Sequence, residues 1–354
     1  MSAVPQPDLS VRVQAHLDAF AANQRRRLAA AGPRVDTMID AALASATGGK
    51  RLRAAYCVQG WRAAGGDPGD ERITVAAAAL EWLQACALVH DDLIDASDTR
   101  RGRPSVHRAF EAEHRRAGWP GDEKGYGTGV AILVGDLMLS WTDEMFRSCG
   151  LPAERVSAAL PYLDACRSEV VAGQFLDVAA QAAGETSLEV AMTVVRFKAA
   201  KYTVERPLHL GAVLAGADRA LVEALTAVGL PAGEAFQLRD DVLGVFGDAS
   251  VTGKPAGDDL REGKRTALLA HAYAGADEAG RSLLDTLVGD RGLRDEQVEQ
   301  LRAVIRATGA LDAVEAQIDA LWAAAMAALA IAPVDDAARA SLTRLVQRSI
   351  RRTS

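Results

Sequence analysis

The chain has few aromatic side chains, 5 % of its 354 residues, and only four cysteines, Cys57, Cys86, Cys149 and Cys166. The cysteines are widely spaced and none forms a CxxC pair, so neither a zinc site nor a disulfide framework is supported. Basic residues are not in excess: the net charge is −7, which gives no global support for a nucleic-acid partner. Long hydrophobic runs are missing as well. The longest, Ala320 to Val334, is 15 residues and contains Pro333, short of the roughly 20 that a membrane helix needs. The start, MSAVPQPDLS, has neither a basic region nor an apolar stretch, so no secretory signal is visible. These absences lead us to expect a soluble, cytoplasmic protein without a transmembrane segment.

What the chain does have is abundant alanine and an apolar fraction of 49 %, enough for a large core. Alanine is the best helix former, so an all-α fold is expected. Residues 1–9 read as a disordered lead and 10–354 as one helical domain. Gly48–Gly49 and the GGDPGD stretch at 65–70 break the first helices. Ile73 to Asp95 reads as one long helix, so apolar that it must be buried on most sides. Residues 117–129 read as a Gly-rich loop, and helices from 130 onward are interrupted near AAGET and ERP. A second apolar helix runs to Asp240 and Asp241 and is followed by a charged loop. No repeat period or strand–helix alternation appears. GTGVAILVGD lacks the full glycine fingerprint of a dinucleotide site.

Two acidic clusters stand out. VHDDLIDASDTRRGR carries Asp91, Asp92 and Asp95 at the end of the first apolar helix. Positions i and i+4 share a helix face, so Asp91 and Asp95 point the same way. Like charges 4 Å apart repel by about 1 kcal/mol in water and about 4 kcal/mol at an effective dielectric of 20. The helix dipole also disfavours acids at a C-terminus. A divalent cation turns that cost into a site, and oxygen donors without His or Cys favour Mg²⁺. Asp240 and Asp241 end the second apolar helix in the same manner. Magnesium retains waters and shares phosphate oxygens, so the implied ligand of two facing clusters is a diphosphate. Basic residues lie in nearby segments: Lys50, Arg51 and Arg53; Arg100, Arg101 and Arg103; Arg196, Lys198 and Lys201; Lys254, Arg261, Lys264 and Arg265. Four such clusters suggest two anionic groups, one held through metal and one by Arg and Lys directly.

From about Gly48 to Thr266 these residues resemble the trans-isoprenyl diphosphate synthases, or polyprenyl synthetases. Asp91, Asp92 and Asp95 match the first DDxxD motif; Arg100, Arg101, Gly102 and Pro104 match RRGxP; Gly49, Lys50 and Arg53 match GKxxRP, with Ala54 for the proline. Gln84 matches a diphosphate-contacting glutamine, and GQFLD supplies Gln174 and Asp177. Phe236, Gln237, Asp240 and Asp241 match FQxxDD; Gly253, Lys254, Gly257, Asp259, Lys264 and Thr266 complete GKxxGxDLxxGKxT. Gly244 replaces the last Asp of the second DDxxD, with Asp248 further on, and Ala199 replaces the Thr of a Lys-Thr pair. Thr203 is the candidate to compensate, and Lys201, three residues from Lys198, is expected to share its face and role.

The resemblance implies a single large helical bundle around a central apolar cavity, with three Mg²⁺ ions per site held by Asp91, Asp92, Asp95, Asp240 and Asp241. It implies head-to-tail condensation of isopentenyl diphosphate with an allylic diphosphate (dimethylallyl, geranyl or farnesyl). Arg100, Lys198, Gln237, Lys254 and Lys264 would serve the allylic leaving group, and Lys50, Arg53, Gln84 and Arg101 the isopentenyl diphosphate, with Lys201 beside Lys198. A homodimer is also implied. Cys86 and Ala87 are small and leave the cavity floor open, while Trp82 and Leu83 are expected to close it a turn deeper, which favours a C20 product, geranylgeranyl diphosphate. A C15 or a C25-and-longer product, a terpene cyclase and a non-catalytic subunit of a heteromeric synthase remain the alternatives.

Overall fold

The computed structural model describes residues 8–247 and 257–351. The lead expected at 1–9 lies outside the described residues up to position 7. Asp8 and Leu9 already belong to α1 (Leu9–Leu28), as its N-cap and first residue. There follow α2 (Arg34–Ala46), α3 (Leu52–Ala63), α4 (Glu71–Ile94), a two-residue hairpin pairing Thr99–Arg100 with Arg103–Pro104, α5 (Val106–Ala117), α6 (Glu123–Arg147), α7 (Ala153–Ala183) and α8 (Leu188–Val194). A π-helical stretch, Val195–Glu205, leads into α9 (Arg206–Ala215) and the long α10 (Arg219–Phe246). Helices Asp258–Glu262, Ala267–Gly275, Glu278–Leu287, Asp295–Ala307, Ala310–Ile331 and Asp336–Ile350 complete the described chain.

Both site-bearing helices start on an aspartate cap. Asp70 accepts from the Arg72 amide at 2.9 Å to open α4, and Asp218 accepts from the Leu221 amide at 2.9 Å to open α10. Each is the spine of one core. Around α4 pack α1, α2, α3 and α6, where Trp82 meets Trp141 edge to face at 5.1 Å, with Phe20 beside them. Around α10 pack the C-terminal helices through Leu225, Val228, Leu301, Val314 and Ile318. Each such fully buried aliphatic side chain contributes about 1.5–3 kcal/mol. The cavity lies between the two spines, with α7 and the π-helical stretch as its side wall.

Two local expectations are corrected. The loop expected at 117–129 is helical from Glu123, because Asp122 accepts from the Lys124 amide at 3.0 Å and caps α6. The break expected at ERP is absent: Pro207 sits in the first turn of α9, where the π-helical stretch hands over. Two helices, Glu71–Ile94 and Ala310–Ile331, are long and apolar enough to cross a membrane by length and composition. The first is mostly buried within the protein; the second packs one face against α10 and leaves most of its alanines outward.

Candidate active site

Residues of α3, α4, α7, α10, the π-helical stretch and the 258–266 segment enclose a cavity of about 530 Å³. Its mouth is acidic. Asp91 from α4 and Asp240 and Asp241 from α10 line it, together with Asp177, Asp258 and Asp259. Its inner walls are apolar, formed by Ala87, Leu88, Val170, Val195, Phe236 and Leu243. Basic groups line it too: Lys50, Arg53, Arg100, Lys198, Lys264 and Arg265.

The first rim is tied together by ion pairs. Arg100 donates through Nε to Asp92 Oδ1 at 2.8 Å, its Nη2 also meets Asp92, and Nη2 lies 3.8 Å from Asp91. Asp92 is only 4 % exposed, so its carboxylate anchors the arginine from behind the cavity wall. Asp91 Oδ1 accepts from Gln174 Nε2 at 3.0 Å and from Lys198 Nζ at 3.4 Å; Lys198 also reaches Asp177 at 2.6 Å. Burial alone would lower the Lys198 ammonium, but the charges of Asp91 and Asp177 outweigh it and hold the group above its usual range. Asp95 caps the end of α4, buried, with Lys264 Nζ at 3.5 Å; its backbone oxygen accepts from Arg291 at 2.6 Å. Burial and the neighbouring Asp91 charge push its carboxyl up to about 6.

On α10, Gln237 Nε2 donates to Asp241 at 2.8 Å. Burial pushes the Asp241 carboxyl up to about 8, against the Gln237 bond and helped by the charges of Asp259 and Asp240. Lys264 stands between the rims, 3.5 Å from Asp95, 3.6 Å from Asp259 and 2.7 Å from Glu262. Those acids keep its ammonium well above the usual range despite burial. Lys254 and Asp248 lie outside the described residues.

The π-helical stretch aims Lys198. Its i→i+5 winding is a feature often found at functional sites, and Val195, Lys198, Ala199, Tyr202 and Thr203 of this stretch line the cavity. It fits against α7 because Gly173 has no side chain: a Cβ there would lie 2.5 Å from the Lys198 Cα. The same winding turns Lys201 away, so the expectation that it shares the face of Lys198 is corrected. Lys201 pairs with Glu205 at 3.1 Å and Glu169 at 3.3 Å and does not line the cavity. Thr203 lines the cavity with Lys198, and its Oγ1 accepts from Arg53 Nη2 at 2.7 Å. Arg53 also stacks over the Tyr202 ring at 3.9 Å. Gln84 shares this corner of the cavity with Arg53 and Lys50. Arg101, in the turn of the hairpin, is not among the lining residues; it donates to the Thr47 carbonyl at 2.8 Å, its guanidinium pulled below the usual range by burial and the Arg51 charge.

The expected floor is also corrected. Leu83, Ala87 and Asp91 follow one another at i+4 on the cavity side of α4. Trp82 and Cys86 are on another face: Trp82 bonds the Met145 sulfur at 3.3 Å within the α1–α4–α6 core, and the Cys86 sulfur lies 3.8 Å from His90 Nδ1. Leu83 packs with Cys166, Val170 and Tyr202, and the last two line the cavity. Tyr202, Val170 and Asp259 were given no role by sequence reasoning. Asp259 stood in a matched motif and could have been found there, whereas nothing in the spacing marked Val170 or Tyr202.

Among the described residues no three His, Cys, Asp or Glu side chains converge to hold a metal ion by themselves. The donor set nevertheless fits magnesium, which retains waters and takes phosphate oxygens instead of filling a protein cage. Arg53 Nε, Gln84 Oε1 and Arg265 Nε are buried at the cavity without a protein partner, and such atoms are where a polar ligand can bond.

The family description "Polyprenyl synthetase" matches residues 35–305. The chain is similar to geranylfarnesyl diphosphate synthase of Aeropyrum pernix, 33 % identical over 273 residues that cover 76 % of this chain and 79 % of that one. It is similar to (2E,6E)-farnesyl diphosphate synthase of Mycobacterium bovis, 34 % identical over 256 residues, 72 % of this chain and 66 % of that protein. A solved structure of geranylgeranyl pyrophosphate synthase from Corynebacterium glutamicum, complexed with isoprenyl diphosphate and magnesium, superposes with a TM-score of 0.94 at 41 % identity, covering 99 % of this chain and 100 % of that one. The chain belongs to the polyprenyl synthetase family and is a trans-prenyl diphosphate synthase.

Proposed function

We propose that this enzyme condenses isopentenyl diphosphate head-to-tail with an allylic diphosphate (dimethylallyl, geranyl or farnesyl), and that its main product is the C20 geranylgeranyl diphosphate. The observation that carries the reading is the cavity itself: carboxylates of α4 and α10 share its mouth, basic groups flank it and apolar side chains line its depth. Asp91, Asp240 and Asp241 line the cavity and would hold magnesium in this proposal, three ions per site by family likeness, with Asp92 and Asp95 completing the α4 rim. Bound magnesium supplies charge neutralisation on the diphosphate oxygens. Arg100, Lys198 and Lys264 meet the charge that builds on the leaving oxygen as the allylic C–O bond breaks. Lys254 joins them by family likeness, outside the described residues. Gln237 holds Asp241 in place and faces the cavity.

Lys50, Arg53, Gln84 and Arg101 hold the isopentenyl diphosphate in this scheme, with Tyr202 and Thr203 steadying Arg53. The alkene attacks the allylic carbon, and the proton released on the new chain leaves with pyrophosphate. Leu88, Val170, Phe236 and Leu243 exclude the water that would quench the cation. The C20 assignment is supported by the Corynebacterium glutamicum relative and by the small Ala87 above Leu83 on the cavity face of α4. The farnesyl and geranylfarnesyl relatives favour the neighbouring C15 and C25 products as second readings.

A homodimer is supported by exposed apolar side chains, Ile132 and Leu133 on α6 and Val171, Phe175 and Val178 on α7. Residues 10–354 as one domain and a cytoplasmic location complete the proposal. The deciding experiment incubates the purified protein with labelled isopentenyl diphosphate and C5, C10 or C15 primers and measures product chain length. Turnover of the primer without isopentenyl diphosphate would point to a cyclase, and no turnover by the protein alone to a non-catalytic subunit.

A further inference from the structure

The second acidic rim departs from the DDxxD pattern at Gly244, where the last acid of the pattern would stand. Gly244 lies in the last turn of α10 and lines the cavity, as does Asp259 on the short helix Asp258–Glu262. Glycine is a weaker helix former than alanine, so its presence there calls for a packing reason. The geometry supplies one. A Cβ built on Gly244 would collide with Asp259 Oδ2 and lie 2.6 Å from Asp259 Cγ. The Asp259 carboxylate therefore fills the volume in which a side chain at position 244 would begin. It is held there on the other side: Lys264 donates its backbone amide to the Asp259 carbonyl at 3.1 Å, and its ammonium lies 3.6 Å from Asp259 Oδ1. The same ammonium lies 3.5 Å from Asp95 on the opposite rim.

We propose that the third acid of the second rim is supplied by Asp259 instead of by α10, and that Gly244 is the steric allowance that admits it. Gly244 is then an accommodation and not a lost ligand. Restoring an acid at 244 would displace one carboxylate with another and set two like charges against each other in a buried corner. The inference rests on the reading that the rims of α4 and α10 grip a magnesium-bridged diphosphate, with Asp259 adding a hard oxygen donor beside Asp240 and Asp241.

The test measures binding of inorganic pyrophosphate in the presence of Mg²⁺ by titration calorimetry, and the melting temperature of the ligand-free protein. Gly244→Ala should leave the melting temperature near that of the natural protein, the helix gain offset by displacement of the Asp259 carboxylate, yet weaken Mg²⁺-dependent pyrophosphate binding roughly tenfold. A purely structural role for Gly244 would not separate the two readouts in this way. Asp259→Asn should weaken binding by a similar factor, and the double variant no further, because both changes remove the same carboxylate. Gly244→Asp should bind more weakly than the natural protein. The inference is overturned if Gly244→Ala and Asp259→Asn both bind as the natural protein does while Asp240→Ala loses binding, or if Gly244→Asp binds more tightly. Retained binding in Asp240→Ala would overturn the assignment of the rims as a whole, and this inference with it.

Discussion

At the end of α4 every carboxylate of the cluster has a cation of this chain beside it: Arg100 at Asp92, Lys198 at Asp91 and Lys264 at Asp95. At the end of α10, Asp241 is met by the Gln237 amide, by the charges of Asp259 and Asp240 and, opposing them, by the charge of Lys264. The burial of Asp95 and Asp241 is similar in kind, yet the carboxyl of the first is pushed up to about 6 and that of the second to about 8. The difference teaches that burial leads at both rims and that Lys264, shared between Asp95 and Asp259, offsets it more fully at Asp95 than at Asp241. In the proposed reaction both rims hold metal, and Arg100 and Lys198 add direct cationic contacts on the α4 side.

The largest expected effect tests whether both rims are needed. Asp91→Ala and Asp240→Ala should each lower kcat/KM by roughly 10²–10³-fold or more, and excess chelator should silence the natural enzyme until Mg²⁺ is returned. Steady-state assays that found either variant near full speed would break the two-rim comparison outright. Next comes the stability of the ligand-free protein in denaturant. Arg100→Ala removes the guanidinium bonded to the buried Asp92 carboxylate, a loss of about 3–5 kcal/mol. Gln237→Ala removes a single amide bond, about 1–3 kcal/mol. Equal losses would erase the contrast between an ion-paired rim and an amide-braced one.

A smaller effect is read from pH. The Asp241 carboxyl titrates higher in the folded chain than in the unfolded one, so the folded state binds the extra proton between about 4 and about 8. Its contribution to ligand-free stability is present at low pH and fades as pH rises through that window. Asp241→Asn should match the natural protein near pH 4 and melt higher near pH 8; melting curves that stay parallel across the window would contradict the assignment. The smallest effect sharpens the α4 face. Ala87→Phe should shorten the main product by an isoprene unit or more, while Cys86→Ala, on the other face, should leave the product spectrum unchanged.

Much of this was legible from residues alone, and the misses share one cause. Asp91, Asp240 and the glycine and lysine motifs are local patterns whose chemistry depends on residue type and short spacing. Lys201 was misplaced because i+3 neighbours share a face in an α-helix but not in a π-helix, and residues 195–205 wind as a π-helix against Gly173. Trp82 and Cys86 were grouped with Leu83 and Ala87 by proximity in sequence, although one residue around a helix is enough to face another core.

By itself the sequence determined that the chain is helical, that two acidic helix ends and several basic segments serve one anionic ligand class, and which family it joins. Those are consequences of composition and of motifs a few residues long. Only the tertiary structure decided which groups meet: Arg53 with Tyr202 and Thr203, Lys264 with both Asp95 and Asp259, and Asp259 with the space beside Gly244. Such pairings span long stretches of chain and depend on how closely helix backbones approach. That approach is set by packing around two cores and is not written in any one segment.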